Sequence, residues 1–191
     1  MQPGSSRCDA SLRKPEQRAD REQRGQGAGE AEFPSLPGSY LLVLRSAHQA
    51  VIPIGRLGAG MVAPGWYLYT GSALGRGGLR GRLQHHLRPA ARPHWHIDFL
   101  RRVCDVTAVW YVVGERRWEH DWAGLLAQQA EPAPCLGFGA SDCHCIAHCF
   151  FLSAEPSPMQ FAADAQRLYP DHPAIEQRTI KASERRGITN P

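Results

Sequence analysis

Large apolar residues first gather at SYLLVL (39–44), after an opening stretch that is nearly free of them. That β-rich run reads as a strand, and Val51–Ile54 is placed to pair with it across a polar turn. GWYLYTG (65–71) opens at Pro64-Gly65 and alternates aromatic residues, which predicts a second strand. The segment ALGRGGLRGRLQHHLR starts loose and turns helical near Gly78, where Leu79, Leu83 and Leu87 recur on one face. HWHIDFLRR predicts a short helix after Pro93, and VTAVWYVV (106–113) a third strand. RRWEHDWAGLLAQQ (116–129) is helical, with Trp118, Trp122, Leu125 and Leu126 as its apolar stripe, and it stops before EPAP.

Outside this core the pattern weakens. Residues 1–36 are charged, Gly-rich and poor in large apolar groups, so they are expected to stay a disordered polar tail. Residues 37–152 are expected to form the folded domain. In 153–191, PMQFAADAQRLY predicts a short helix with Phe161, Ala165 and Leu168 near one face. DHP and KASERRGITNP then predict a loose C-terminus. Strands with intervening helices and a hairpin-like first pair point to an α+β fold. The expectation is a small, mainly antiparallel three-stranded sheet flanked by helices, with a C-terminal Cys/His-containing extension.

Composition narrows the classes. A chain of 191 residues with 42% apolar content can build an ordinary core. No apolar run approaches the ~20 residues of a membrane span, and the first residues contain no apolar leader core. A soluble cytoplasmic protein is expected. The net charge of +4 decides little, but its distribution is uneven. Arg76, Arg80, Arg82, Arg88, Arg92, Arg101 and Arg102 share one stretch with His85, His86, His94 and His96 against the single Asp98. Such a focus suits phosphate binding, and Arg76, Arg80 and Arg88 are the expected nucleic-acid contacts. Taken alone, an Arg run reads better as a solvated face. GSALGRGG lacks the G-K-[ST] of a nucleotide-binding loop, and no Lys lies between residues 15 and 180, which argues against an ATP site.

Four separated pieces carry more specific chemistry: Gly38-Ser39-Tyr40, Tyr69-Thr70-Gly71, Leu79-Arg80-Gly81-Arg82 with His86, and Glu119 opening a helix. In this order they resemble the GIY-YIG nucleases, with Ser39 and Thr70 standing where the family carries isoleucine. GWYLYTGSALG, HWHIDFL and GFGASDCHCIAHCFF resemble the branch known as domain of unknown function 123, sometimes fused to endonuclease III-type repair proteins. The resemblance covers residues 38–152. It implies phosphodiester hydrolysis with Mg²⁺ or Mn²⁺ on Glu119, and Tyr40 with His86 activating water. Tyr69 would position the phosphate or the water, and Arg82 would neutralise the phosphoryl charge. DNA is the favoured substrate, in a structure- or lesion-directed reaction with a DNA-repair protein partner. A non-catalytic nucleic-acid-binding module and an RNA-processing nuclease are the alternatives. Taken singly, both tyrosines read as strand aromatics, Arg82 as surface charge and Glu119 as a helix-start acid.

Two further clusters stay open. Cys143, Cys145 and His148 match the branch's recurrent pattern and suit Zn²⁺, with His94, His96 or Cys135 as the fourth ligand. The preferred alternative is buried reduced cysteines beside CFFL, with His148 hydrogen-bonded in the core. The cysteine set (Cys8, Cys104, Cys135, Cys143, Cys145, Cys149) reads as thiols or metal ligands sooner than as disulfides. His94 and Asp98, one helical turn apart, could form an orienting pair, and His94 or His96 could act as a second catalytic histidine. Equally, Trp95 and Phe99 could be core anchors and the histidines helix-end polar groups.

Overall fold

In the computed structural model Met1 and residues 32–88, 90 and 92–185 are described. Met1–Glu32 and Phe33–Pro191 are separate units, and every element lies in the second. Strand β1 (Gly38–Ser46) is buried almost throughout. Alternation sends Tyr40, Leu42 and Leu44 into one apolar layer and Leu41 and Val43 into another. A strand buried on both faces must sit mid-sheet, and it does. Continuing along the chain come β2 (Ala50–Pro53), β3 (Ala59–Val62) and β4 (Gly65–Ser72). They are followed by α1 (Gly78–Leu87), α2 (His96–Leu100), β5 (Asp105–Val113) and α3 (Glu119–Leu126). The chain then forms β6 (Glu131–Pro132), β7 (Cys149–Leu152), α4 (Pro158–Leu168), β8 (Glu176–Thr179) and α5 (Ala182–Arg185).

The main sheet has the order β6-β7-β4-β1-β5-β8, and all its neighbours are antiparallel. The three strands expected from the pattern form its centre, and β6, β7 and β8 widen it. Leu79 and Leu83 of α1 and Ile97 and Leu100 of α2 cover one face. Trp122, Leu125 and Leu126 of α3 and Phe161 and Ala165 of α4 cover the other. The result is the mixed α+β architecture of an antiparallel sheet between helical layers.

Three expectations need correction. Val51–Ile54 does not extend the main sheet: β2 pairs with β3 in a separate two-stranded hairpin. Both edges of β1 are already filled by β4 and β5, so no hydrogen-bonding edge is left for it. The expected disordered tail falls outside the described residues for 2–31, but residues 33–36 are fixed. The carbonyls of Leu36 and Pro34 accept the Leu79 and Arg80 N–H groups at the start of α1. Gly77 offers no capping side chain there, so these orphan donors find partners in the preceding strand of chain. Gly78 sits at φ 54°, and a Cβ on it would meet the Leu36 carbonyl at 2.2 Å, so this junction requires glycine.

The third correction concerns the C-terminus. Residues 176–179 add β8 to the edge of β5, and Ile180 is fully buried with its N–H on the Thr107 carbonyl. His172 accepts the indole N–H of Trp122 at 2.8 Å. Sparse apolar content in DHPAIEQRTIK hid a segment whose two isoleucines, Ile175 and Ile180, both pack on the core. No described helix is long and apolar enough to cross a membrane. Replacing Ile180 by Ala should cost about 2–5 kcal/mol in urea unfolding, as for other buried Ile to Ala changes; a value near zero would mean that this segment does not contribute to the core.

Candidate functional site

Tyr40 of β1 lies directly opposite Gly71 of β4. A Cβ at Gly71 would stand 2.4 Å from the Tyr40 hydroxyl, so the glycine provides the room that the phenol occupies. The hydroxyl reaches His86 Nε2 of α1 at 2.8 Å, in a buried contact. Tyr69 approaches the same imidazole edge-on, 6.3 Å between ring centres. Two strands and one helix thus bring together three residues that are far apart in the chain.

Burial sets the protonation states. It raises the Tyr40 phenol well above its ordinary value, with Tyr69 adding and the Arg82 cation opposing. The Tyr69 phenol is raised for the same first reason. His86 is pushed down to about 3 by burial, with Arg82 and His85 adding. At neutral pH the pair is therefore uncharged. The other nitrogen of His86, Nδ1, is buried with no hydrogen-bond partner among the described residues. The helix that holds His86 is fastened from behind. Buried Arg101 donates through Nε to the His86 carbonyl, and through its two terminal nitrogens to the carbonyls of Cys104 and Leu87. These include the free carbonyls of the α1 C-terminus.

Arg82 projects from α1 with its guanidinium over the Trp95 ring, 4.6 Å from the ring centre. Trp95 is substantially exposed and receives His85 edge-on at 4.6 Å. Arg76, Arg82, His85, Trp95 and the small residues Ala73 and Gly75 line an open cavity of about 210 Å³. Of the other expected phosphate contacts, Arg88 is exposed just past α1, whereas Arg80 donates through Nε to the Phe33 carbonyl at 3.1 Å. Arg80 thus serves to anchor residues 33–36.

The HWHID segment differs from its expected role. Asp98 Oδ2 accepts the backbone N–H groups of His94 and Trp95, and Oδ1 lies 3.6 Å from His85 Nε2. The carboxylate caps its own helix and faces His85, and the expected pair of His94 and Asp98 side chains is not formed among the described residues. His96 Nδ1 accepts the Gly139 N–H at 2.9 Å, tying α2 to the GFGAS loop. Burial holds His96 below its ordinary value, in the neutral form that this bond needs. Trp95 is no core anchor; it is a platform under Arg82.

Glu119 is placed differently from the other four. It opens α3, and its Oε1 accepts the Ser72 hydroxyl at 2.8 Å while its carbonyl accepts from Thr70 Oγ1. Ser72 and Thr70 lie on the opposite face of β4 from Tyr69. Tyr40, Tyr69, Arg82 and His86 therefore share one side of the sheet end, and Glu119 approaches from the other. Its charge still raises the Tyr40 phenol. Arg117 and His120 Nε2 each lie 3.7 Å from Oε1, and Oε2 is buried with no hydrogen-bond partner among the described residues. Ser72 escaped the sequence reading although it directly follows Tyr69-Thr70-Gly71.

The Cys/His cluster is compact. Donor atoms of His120, Cys143, Cys145 and His148 all lie within 4.8 Å of one another, a group compatible with a metal ion. Cys143 and Cys145 are only half-buried, unlike core thiols such as Cys149. The fourth member is His120. His94, His96 and Cys135, the expected candidates, are not in the group. His120 lies more than 20 residues away in sequence from the rest, so only its place beside Glu119 could have drawn attention to it.

The depressed His86 has a consequence for stability. Its unfolded value is near 6.5, so below about pH 6.5 the unfolded chain takes up a proton that the fold excludes until about pH 3. Stability is then lost as pH falls through that window. In His86→Gln the slope of stability against pH, read by urea unfolding between about pH 4 and 6, should be shallower by up to about 1.4 kcal/mol per pH unit. Equal slopes in the two proteins would show that His86 is not held neutral.

Neither a curated protein nor a solved structure matches the chain significantly. A family match does exist, and it spans the two tyrosines, Arg82, His86, Glu119, the Cys/His cluster and α4. It covers residues 39–169, well over half of the chain, and on that ground the chain belongs to the family described as Domain of unknown function DUF123.

Proposed function

We propose that this domain is a metal-dependent endonuclease that hydrolyses phosphodiester bonds in DNA, related in mechanism to the GIY-YIG nucleases. The observation that carries the reading is the buried Tyr40–His86 hydrogen bond of 2.8 Å, with Tyr69 against the same imidazole, and with the Arg82 charge acting on both tyrosines from an open cavity that it lines with Arg76. Arg82 and Arg76 would receive the phosphate, and Arg82 would offset the charge that develops on its oxygens. Tyr69 would hold the phosphate or the water in line. As water attacks phosphorus, its proton would pass to the Tyr40 oxygen while the Tyr40 proton moves to His86 Nε2, and the P–O ester bond breaks, the leaving sugar oxygen taking its proton from solvent water. A bound anionic phosphate would raise the affinity of His86 for that proton, countering the burial that depresses it.

The chemistry of Glu119 fits a single-carboxylate site. Ser72 holds one oxygen, and the other is buried without a partner among the described residues. This suits Mg²⁺ or Mn²⁺, which keep several waters and need few protein oxygens. Such an ion, when bound, would supply positive charge to the reacting phosphate. The thiolate–imidazole group of Cys143, Cys145 and His148 suits a softer ion, Zn²⁺. Structure- or lesion-directed cutting in repair, targeting by a DNA-repair protein partner and a cytoplasmic location belong to the same proposal.

A second reading has its own support. Tyr40, His86 and Glu119 are each no more than 4% exposed, and Glu119 reaches the sheet end from the far face. A nucleic-acid-binding module that uses these groups structurally would look the same. Nicked, branched and single-stranded DNA, with Mg²⁺ or Mn²⁺, separates the two. Wild type should cut at least one of them, and Arg82→Ala and Glu119→Gln should each lose about 10²–10³-fold in rate. The catalytic reading fails if wild type cuts none, or if both variants cut as well as wild type. Faster cutting of RNA than of any DNA would favour the RNA-processing alternative.

A further inference from the structure

We infer that His120, Cys143, Cys145 and His148 form one closed Zn²⁺ site that clamps the start of α3 to the loop between β6 and β7, and thereby positions Glu119. The zinc half of this inference stands alone; the role of Glu119 rests on the proposed nuclease function.

The donor set is specific. Among the five Cys and His residues between 143 and 149, His144 is exposed and Cys149 is buried in the core. The remaining three turn toward His120. Cys143 Sγ lies 3.3 Å from His148 Nε2, and His120 Nδ1 lies 3.4 Å from Cys145 Sγ. Bonds of zinc to sulfur and nitrogen imply tetrahedron edges of about 3.3–3.8 Å, so these separations already fit a shared ion. Two thiolates and two imidazoles with all four places taken make a structural site, with no open position for a substrate.

The surrounding backbone holds the donors in place. Gly137 N–H bonds to the Ile146 carbonyl and His148 N–H to the Phe138 carbonyl. The His148 carbonyl accepts from Thr70 N–H of β4, next to Tyr69. His120 comes from the other side, on the first turn of α3. Its second nitrogen, Nε2, faces Glu119 Oε1 at 3.7 Å. A carboxylate behind a metal-binding histidine orients that histidine, and is oriented by it in return. Glu119 is then held between Ser72 and the zinc-bound His120, and His120 is a positioning residue.

The test uses full-length untagged protein purified with zinc in the medium. Elemental analysis should find about one zinc ion per chain. His120→Ala, Cys143→Ser and Cys145→Ser should each lose most of it, and Cys135→Ser and His96→Ala should keep it. If the cysteine variants precipitate, Co²⁺ exchange into wild type decides: tetrahedral thiolate coordination gives intense visible bands. Zinc-free wild type, a cobalt spectrum without thiolate bands, or loss of zinc in Cys135→Ser as great as in His120→Ala would overturn the site. For the clamp, chelation of zinc should speed hydrogen exchange at the α3 amides at least about tenfold while leaving β1 unchanged. Unchanged exchange in α3 would overturn it. A zinc-loaded protein that fails to cut DNA would sink the nuclease proposal and leave the zinc site standing.

Discussion

Everything in the fold answers to one constraint: β1 is hydrogen-bonded along both edges and buried on both faces. A strand so enclosed cannot slip, because a shift of one residue would exchange Tyr40, Leu42 and Leu44 with Leu41 and Val43 between two different packing layers. Register in turn decides that Tyr40 meets Gly71 and that Ser39 meets Ser72. The first pairing leaves space for a phenol under α1; the second puts polar groups under α3. Chemistry on each side of the sheet end thus depends on a single strand alignment.

The candidate centre is notable for charge kept outside it. Tyr40 and His86 are buried as a neutral pair, while the cation Arg82 and the acid Glu119 act on it from outside. Burying a neutral hydrogen-bonded pair costs far less than burying an ion. The arrangement is therefore affordable in the resting protein, and under the proposed function it would change character when a phosphate arrives. Arg82 is steadied for that encounter by stacking on Trp95, which limits the freedom of a long side chain without neutralising it.

Much of this was legible in the sequence where periodicity and order carry the information. The central strands, α1, α3 and α4 follow from apolar spacing, and the grouping of Tyr40, Tyr69, Arg82 and His86 from motif order. What stayed hidden depends on backbone groups or on distant pairs. Residues 33–36 are held by carbonyls that any sequence possesses. β8 has little apolar alternation, because it lies at the sheet edge and relies on Ile180. Asp98 reads from spacing as a side-chain partner for His94, and only the turn geometry reveals it as a cap. His120 has no local spacing relation to Cys143, and Glu119 on the far face is a property of how α3 crosses the sheet end.

Arg101 carries a last consequence. One buried guanidinium ties the end of α1 to the end of α2 by gripping the carbonyls of His86, Leu87 and Cys104. Asp98 separately secures the backbone where α2 begins. The span between Arg88 and His94 is thus bracketed by two independent fasteners, and its length is uncoupled from the position of His86. Relatives of this chain are free to lengthen or rebuild that span without disturbing the residues that the two fasteners hold.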